Sequence, residues 1–108
     1  MSSVNLQPDP SQPRPAQLRW VLLLTLNNAR PLGAGPDILL GVVQKALFPD
    51  STIIEIRREL DYLQSRGLVS VTDQPNGAWS AKLERYGVDV SEYTVDCDPG
   101  IARPKKYW

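Results

Sequence analysis

The sequence predicts a mainly helical α+β domain in which three helices precede a β-hairpin. Three observations carry that reading. Apolar residues recur at helical spacing in three successive segments; Thr52 and Glu55 stand at capping-box spacing, with Gly67 closing the third segment; and apolar residues flank and alternate around Asn76-Gly77. A chain of 108 residues has room for one core of ordinary size. The domain is expected to span residues 16–92, between an arm at 1–15 and an extended tail at 93–108.

Pro8, Pro10, Pro13 and Pro15, set among Ser, Gln and Asn, bury too little apolar surface to offset ordering entropy, so residues 1–15 are expected to form a disordered arm. The first helix begins near Ala16, where Pro15 suits a first turn, and Leu18, Val21, Leu22, Leu26 and Ala29 share one face until Arg30-Pro31. Trp20, Leu23 and Leu24 point away from that face and need a cover. Pro36 and Asp37 open the second helix, with Ile38, Leu39, Val42, Val43 and Ala46 as its stripe and Pro49 as its limit. The third covers residues 52–66, with Ile53, Ile56, Leu60 and Leu63 inward and Gly67 as its stop. Leu68, Val69 and Val71 then enter the Asp73-Gln74-Pro75-Asn76-Gly77 turn, and Trp79, Ala81 and Leu83 leave it in alternation. Residues 87–92 suggest a short helix, 93–95 an extended stretch, and the prolines after them a tail.

Twelve Lys and Arg balance twelve Asp and Glu, so no global field draws the chain to nucleic acid. Histidine is absent and Cys97 is the lone thiol. That composition removes His-based acid/base chemistry, Ser-His-Asp and Cys-His nucleophiles, and zinc sites built from several Cys or His ligands. No catalytic residue, metal site or cofactor is expected, and the chain reads as a non-enzyme. The carboxylates between Glu84 and Asp98 lack calcium-loop spacing, and Gly33-Ala34-Gly35 lacks the Lys-Ser/Thr ending of a phosphate loop. Val95-Asp96-Cys97-Asp98 puts carboxylates beside the thiol, which should raise its pKa and leave it unreactive. The longest apolar stretch, residues 20–26, is far short of the ~20 residues that cross a bilayer, and the cation-free first ten residues do not resemble a signal peptide. A cytoplasmic protein with no membrane partner is the expectation.

Three helices followed by a hairpin is the order of a winged helix-turn-helix domain. Glu59-Leu60-Asp61-Tyr62-Leu63-Gln64-Ser65-Arg66-Gly67-Leu68-Val69 resembles the junction at which a winged-helix recognition helix enters its wing. Leu83, Arg85, Tyr86 and Gly87 are similar to the post-wing segment of many bacterial regulators. The likeness covers roughly residues 16 to 92 and implies a double-stranded DNA-binding regulator. A narrower resemblance, to small proteins of Mu-like transposable phages and prophages, rests on Arg57-Arg58-Glu59-Leu60-Asp61-Tyr62-Leu63, Tyr86-Gly87-Val88-Asp89-Val90 and Pro99-Gly100-Ile101-Ala102-Arg103-Pro104. It implies a phage setting within a bacterial host cell, and no mechanism.

In the helix-turn-helix docking mode, the outer face of the third helix enters the major groove. Spacing opposite Ile56, Leu60 and Leu63 assigns Ile54, Arg58, Tyr62 and Ser65 to that face. Arg58 could read guanine with two bonds, Arg57 and Arg66 could hold phosphates, and Lys82 and Arg85 could reach the backbone from the wing. The same residues also allow a solvated helix, with Arg57 paired to Asp61 and Arg58 to Glu55 or Asp61. Residues 51–66 hold three cations and three anions, a poor phosphate surface, whereas Ile54 and Tyr62 suit a protein partner. The preferred expectation is a regulator that binds double-stranded DNA through the third helix, residues 52–66, and the alternative is a protein-interaction adaptor in phage regulation or packaging without direct DNA binding. One continuous face of Arg57, Arg58, Lys82 and Arg85 would favour the first, and carboxylates interrupting it the second. Residues 84–98 carry net charge −4 (five acids, one base) and 99–108 carry +3, so Lys105, Lys106, Tyr107 and Trp108 could dock in trans. The more economical arrangement folds Ile101, Tyr107 and Trp108 over Trp20, Leu23 and Leu24, for which a homodimer is the rival cover.

Overall fold

The computed structural model describes residues 7–105. Its elements run α1 (Arg14–Asn28), α2 (Pro36–Ala46), α3 (Ile53–Ser65), β1 (Val69–Asp73), β2 (Trp79–Leu83) and α4 (Arg85–Ser91). This is the expected mainly helical α+β fold, with the hairpin placed as a wing directly after α3. No helix among the described residues is long and apolar enough to cross a membrane.

Helix α1 is the central strut and packs against α2, α3, α4 and β2. That explains its lack of a polar face: Leu18, Trp20, Val21, Leu22, Leu23, Leu24 and Leu26 are all buried. The cover for Trp20, Leu23 and Leu24 comes from this chain's own α4 and C-terminal segment. Val90 and Ile101 join their cluster, and Tyr93 sets its ring edge-on to Trp20 with centroids 6.1 Å apart. A partner surface expected at those three side chains is thus filled internally. Ile101 is buried as anticipated, while Tyr107 and Trp108 lie outside the described residues.

Helix α2 starts on Pro36, carries Asp37 in its first turn and buries Leu39 and Val43. Ile38, placed in the stripe by sequence, is 60% exposed instead. In α3 the Thr52 hydroxyl accepts the Glu55 N–H at 3.2 Å, and Ile56, Leu60 and Leu63 are fully buried. Gly67 ends the helix in the left-handed region (φ 78°), and the Gly67 and Leu68 N–H groups close on the carbonyls of Gln64 and Leu63.

The hairpin pairs Val69 with Leu83, Val71 with Ala81 and Asp73 with Trp79. Its turn differs from a two-residue Asn-Gly reversal. The Gly77 N–H bonds Gln74 O at 3.0 Å, Gln74 N–H bonds Ala78 O at 2.7 Å, and Gly77 alone in that loop has positive φ. Pro75 accounts for this, because its fixed φ suits the second position of an ordinary β-turn, with Gly following in the left-handed region. Ala34 exchanges N–H···O bonds of 2.8 and 2.9 Å with Ala81, an isolated one-residue bridge beside the two-stranded sheet. A Cβ on Gly33 would strike the Ala81 backbone, so a side chain there would block that bridge.

Helix α4 begins at Arg85, so this residue belongs to the helix after the wing. Gly87 packs so closely that a Cβ would meet Leu68 O and the Leu83 side chain. The helix closes with Thr94 N–H on Asp89 O at 2.9 Å and Tyr93 in the left-handed region (φ 63°), a position usually given to Gly and held here by the Tyr93 ring contacts. Beyond it the chain runs back along the start of α1, where Ala102 N–H bonds Ala16 O and Asp9 N–H bonds Ala102 O, each at 3.0 Å. Residues 7–13 of the expected arm therefore pack beside residues 101–105, with Pro8 buried, and Arg14 and Pro15 already belong to α1.

Candidate functional site: the outer face of α3

Because Ile56, Leu60 and Leu63 turn inward, α3 presents Ile54, Arg58, Tyr62 and Ser65 outward, as its periodicity requires. The face divides into two halves. Near its start Ile54 is 80% exposed, and one turn later the Arg58 side chain is 66% exposed. Arg58 bonds neither Glu55 nor Asp61. Its Nε donates to Glu59 Oε2 at 3.3 Å, while Glu55 is engaged by Arg14, which holds the Glu55 carboxyl below its ordinary range.

The second half is occupied by this chain's own C-terminal loop. The Tyr62 hydroxyl donates to Asp98 Oδ1 at 3.0 Å, and Asp98 Oδ2 lies 3.1 Å from Arg66 Nη1. The Arg19 and Arg66 guanidinium carbons lie 3.5 and 4.8 Å from the Tyr62 ring centroid. Burial, followed by the bond to Asp98, pushes the Tyr62 hydroxyl above its ordinary pKa. Ser65 donates its hydroxyl to Tyr62 O at 2.6 Å, although the residue stays exposed.

Each cation assigned to phosphates is met differently. Arg57 bonds Asp61 at 3.0 Å, as its spacing suggested, but also grips both carboxylate oxygens of Asp73 at 2.9 and 3.2 Å, tying α3 to the wing. Those bonds, Asp73 first, raise its pKa further. Arg85 is highly exposed with a long 3.4 Å contact to Asp89. Lys82 is exposed and has no ion pair among the described residues. Lys82 and Arg85 share an open depression with Arg30, which Glu92 faces at 3.5 Å. Seven of the eight arginines lie within ion-pair distance of a carboxylate, and Arg103 instead bonds the Val90 and Val95 carbonyls.

Sequence reasoning missed Glu59. It lies on the buried side of α3, 2% exposed, and Oε1 accepts Arg19 Nε of α1 at 2.8 Å. Buried acids of this kind need a partner, and that partner is 40 residues away in sequence. Asp98 likewise stands in an acidic stretch with nothing along the chain to mark its contact with α3. Cys97 is raised in pKa as expected, with burial as the main cause and Asp98 secondary. Among the described residues no group of three His, Cys, Asp or Glu could hold a metal ion. No protein-family model matches the chain, and no characterised protein matches its sequence.

Proposed function

We propose that the protein is a winged-helix interaction module that docks a protein partner on the outer face of α3, centred on Ile54 and Arg58. One observation carries this reading: carboxylates interrupt the face at Arg57, Arg66 and Arg85, while an isoleucine at its start is left 80% exposed. DNA affinity comes largely from neutralised phosphates, and Asp61, Asp73, Asp89 and Asp98 beside those arginines would meet a phosphate backbone with like charge. Exposed apolar groups and arginine are both common at protein contacts. Arg58 and Lys82 favour the second reading, duplex binding, since neither is held tightly by a carboxylate. The Mu-like phage resemblance offers regulation or packaging as a setting for an adaptor. No catalytic group is assigned under either reading.

A photo-crosslinking side chain at position 54, irradiated inside the host cell, tests the choice. Covalent adducts to protein are expected, and adducts to DNA would overturn the docking reading in favour of the duplex.

A further inference from the structure

Residues 94–100 form a loop fixed at both ends by core contacts. At one end the Tyr93 hydroxyl donates to Pro104 O at 2.7 Å and its ring meets Trp20; at the other Ile101 and Ala102 are buried. Between these ends Thr94, Val95, Asp96 and Pro99 are exposed, while Cys97 packs half-buried against the core and Val95 O accepts from Arg103 Nη1 at 2.9 Å. Its polar contacts with α3 run through Asp98 alone. That carboxylate takes the Tyr62 O–H at 3.0 Å and the Gly100 N–H at 2.7 Å on one oxygen, and faces Arg66 at 3.1 Å with the other. Arg19 stacks on Tyr62 and donates from Nη1 to Gly100 O at 2.9 Å. Without Asp98 the cluster of Arg19, Arg66 and Glu59 carries two positive charges against one negative, a net +1. Donors converging on one point with surplus positive charge make an anion site.

We propose that Arg66 and Tyr62, backed by Arg19, form a binding site for a carboxylate side chain of the protein partner, and that Asp98 is a resident stand-in which keeps that site closed. The proposal rests on the docking reading above and specifies the partner's chemistry. A partner Asp or Glu satisfies the same hydroxyl and guanidinium donors as Asp98 swings outward on the anchors at Tyr93 and Ile101. The second half of the α3 face then joins the first, extending the docking surface from Ile54 to Arg66.

The test uses the full chain, with nitration of individual tyrosines mapped by peptide as the readout and formate as the probe. Asp98→Ala is expected to nitrate Tyr62 several-fold faster than the native chain while Tyr93 keeps its rate, because the loop's anchors hold. Formate at ~100 mM, against chloride at equal ionic strength, should restore protection in Asp98→Ala by mass action and leave the native chain unchanged. Adding Arg66→Ala should abolish the restoration. Asp98→Asn preserves side-chain volume, and should show the same formate response at smaller amplitude if the alanine variant folds poorly. Absence of restoration, restoration that survives loss of Arg66, or simultaneous exposure of Tyr62 and Tyr93 would each overturn the proposal. These outcomes are separate from the crosslink at position 54: adducts to DNA there defeat the docking reading, whereas failure of formate defeats only the carboxylate site.

Discussion

Glu59→Ala is expected to lower stability by about 2–4 kcal/mol, the largest loss of any single polar substitution in α3. Glu59 is 2% exposed and accepts Arg19 Nε at 2.8 Å, with Arg58 at 3.3 Å on its other oxygen. Truncation leaves the Arg19 guanidinium against protein without its counter-charge, and this uncompensated charge is the costly term. The pair itself need not stabilise strongly, since two desolvated charges can be replaced by apolar groups of similar volume. The double variant Arg19→Met/Glu59→Leu should therefore lose less than the sum of the single variants Arg19→Met and Glu59→Leu. Urea denaturation midpoints for the four chains close the cycle. A Glu59→Ala loss below ~1 kcal/mol, the range of an exposed pair, would refute the assignment.

Gly87→Ala is the second large effect, at about 1–3 kcal/mol and toward the upper end of that range. A Cβ there would run into the Leu68 carbonyl and the Leu83 side chain, and a carbonyl within a paired backbone cannot rotate away. The strain falls where α4 meets the hairpin, so β1, β2 and α4 should lose hydrogen-exchange protection together. Gly41→Ala is the control. Nothing lies within 4 Å of a Cβ built at Gly41, and alanine in a helix interior is favoured by about 0.5–1 kcal/mol. Equal effects at the two glycines would mean that α4 does not seat on the hairpin as described.

The features readable from sequence are those set by neighbours along the chain. The α3 seam, its Thr52 cap, the Gly67 stop and the hairpin each follow from spacing or backbone geometry within a few residues, and all are present. Helix α1 was harder, because an element packed on every side has no polar stripe to mark its orientation. Ala34 makes an isolated bridge of one residue, too short for any alternation to announce it. At the site the outer residues of α3 were named correctly by periodicity, but their availability was not. Arg57 is tied to Asp73 across 16 residues, Tyr62 to Asp98 across 36 and Arg19 to Glu59 across 40. Such pairings depend on tertiary approach, and a charge count along α3 can show only that the face is neutral.

That neutrality carries the functional argument, and a titration of the full chain with mixed-sequence duplex DNA across a salt series tests it most directly. The docking reading predicts no association at ~50 mM salt, where electrostatic binding would be strong, and no change on Arg57→Ala or Arg58→Ala. Association that weakens steeply with rising salt, with a slope blunted by either substitution, would contradict it and identify α3 as a DNA-reading helix.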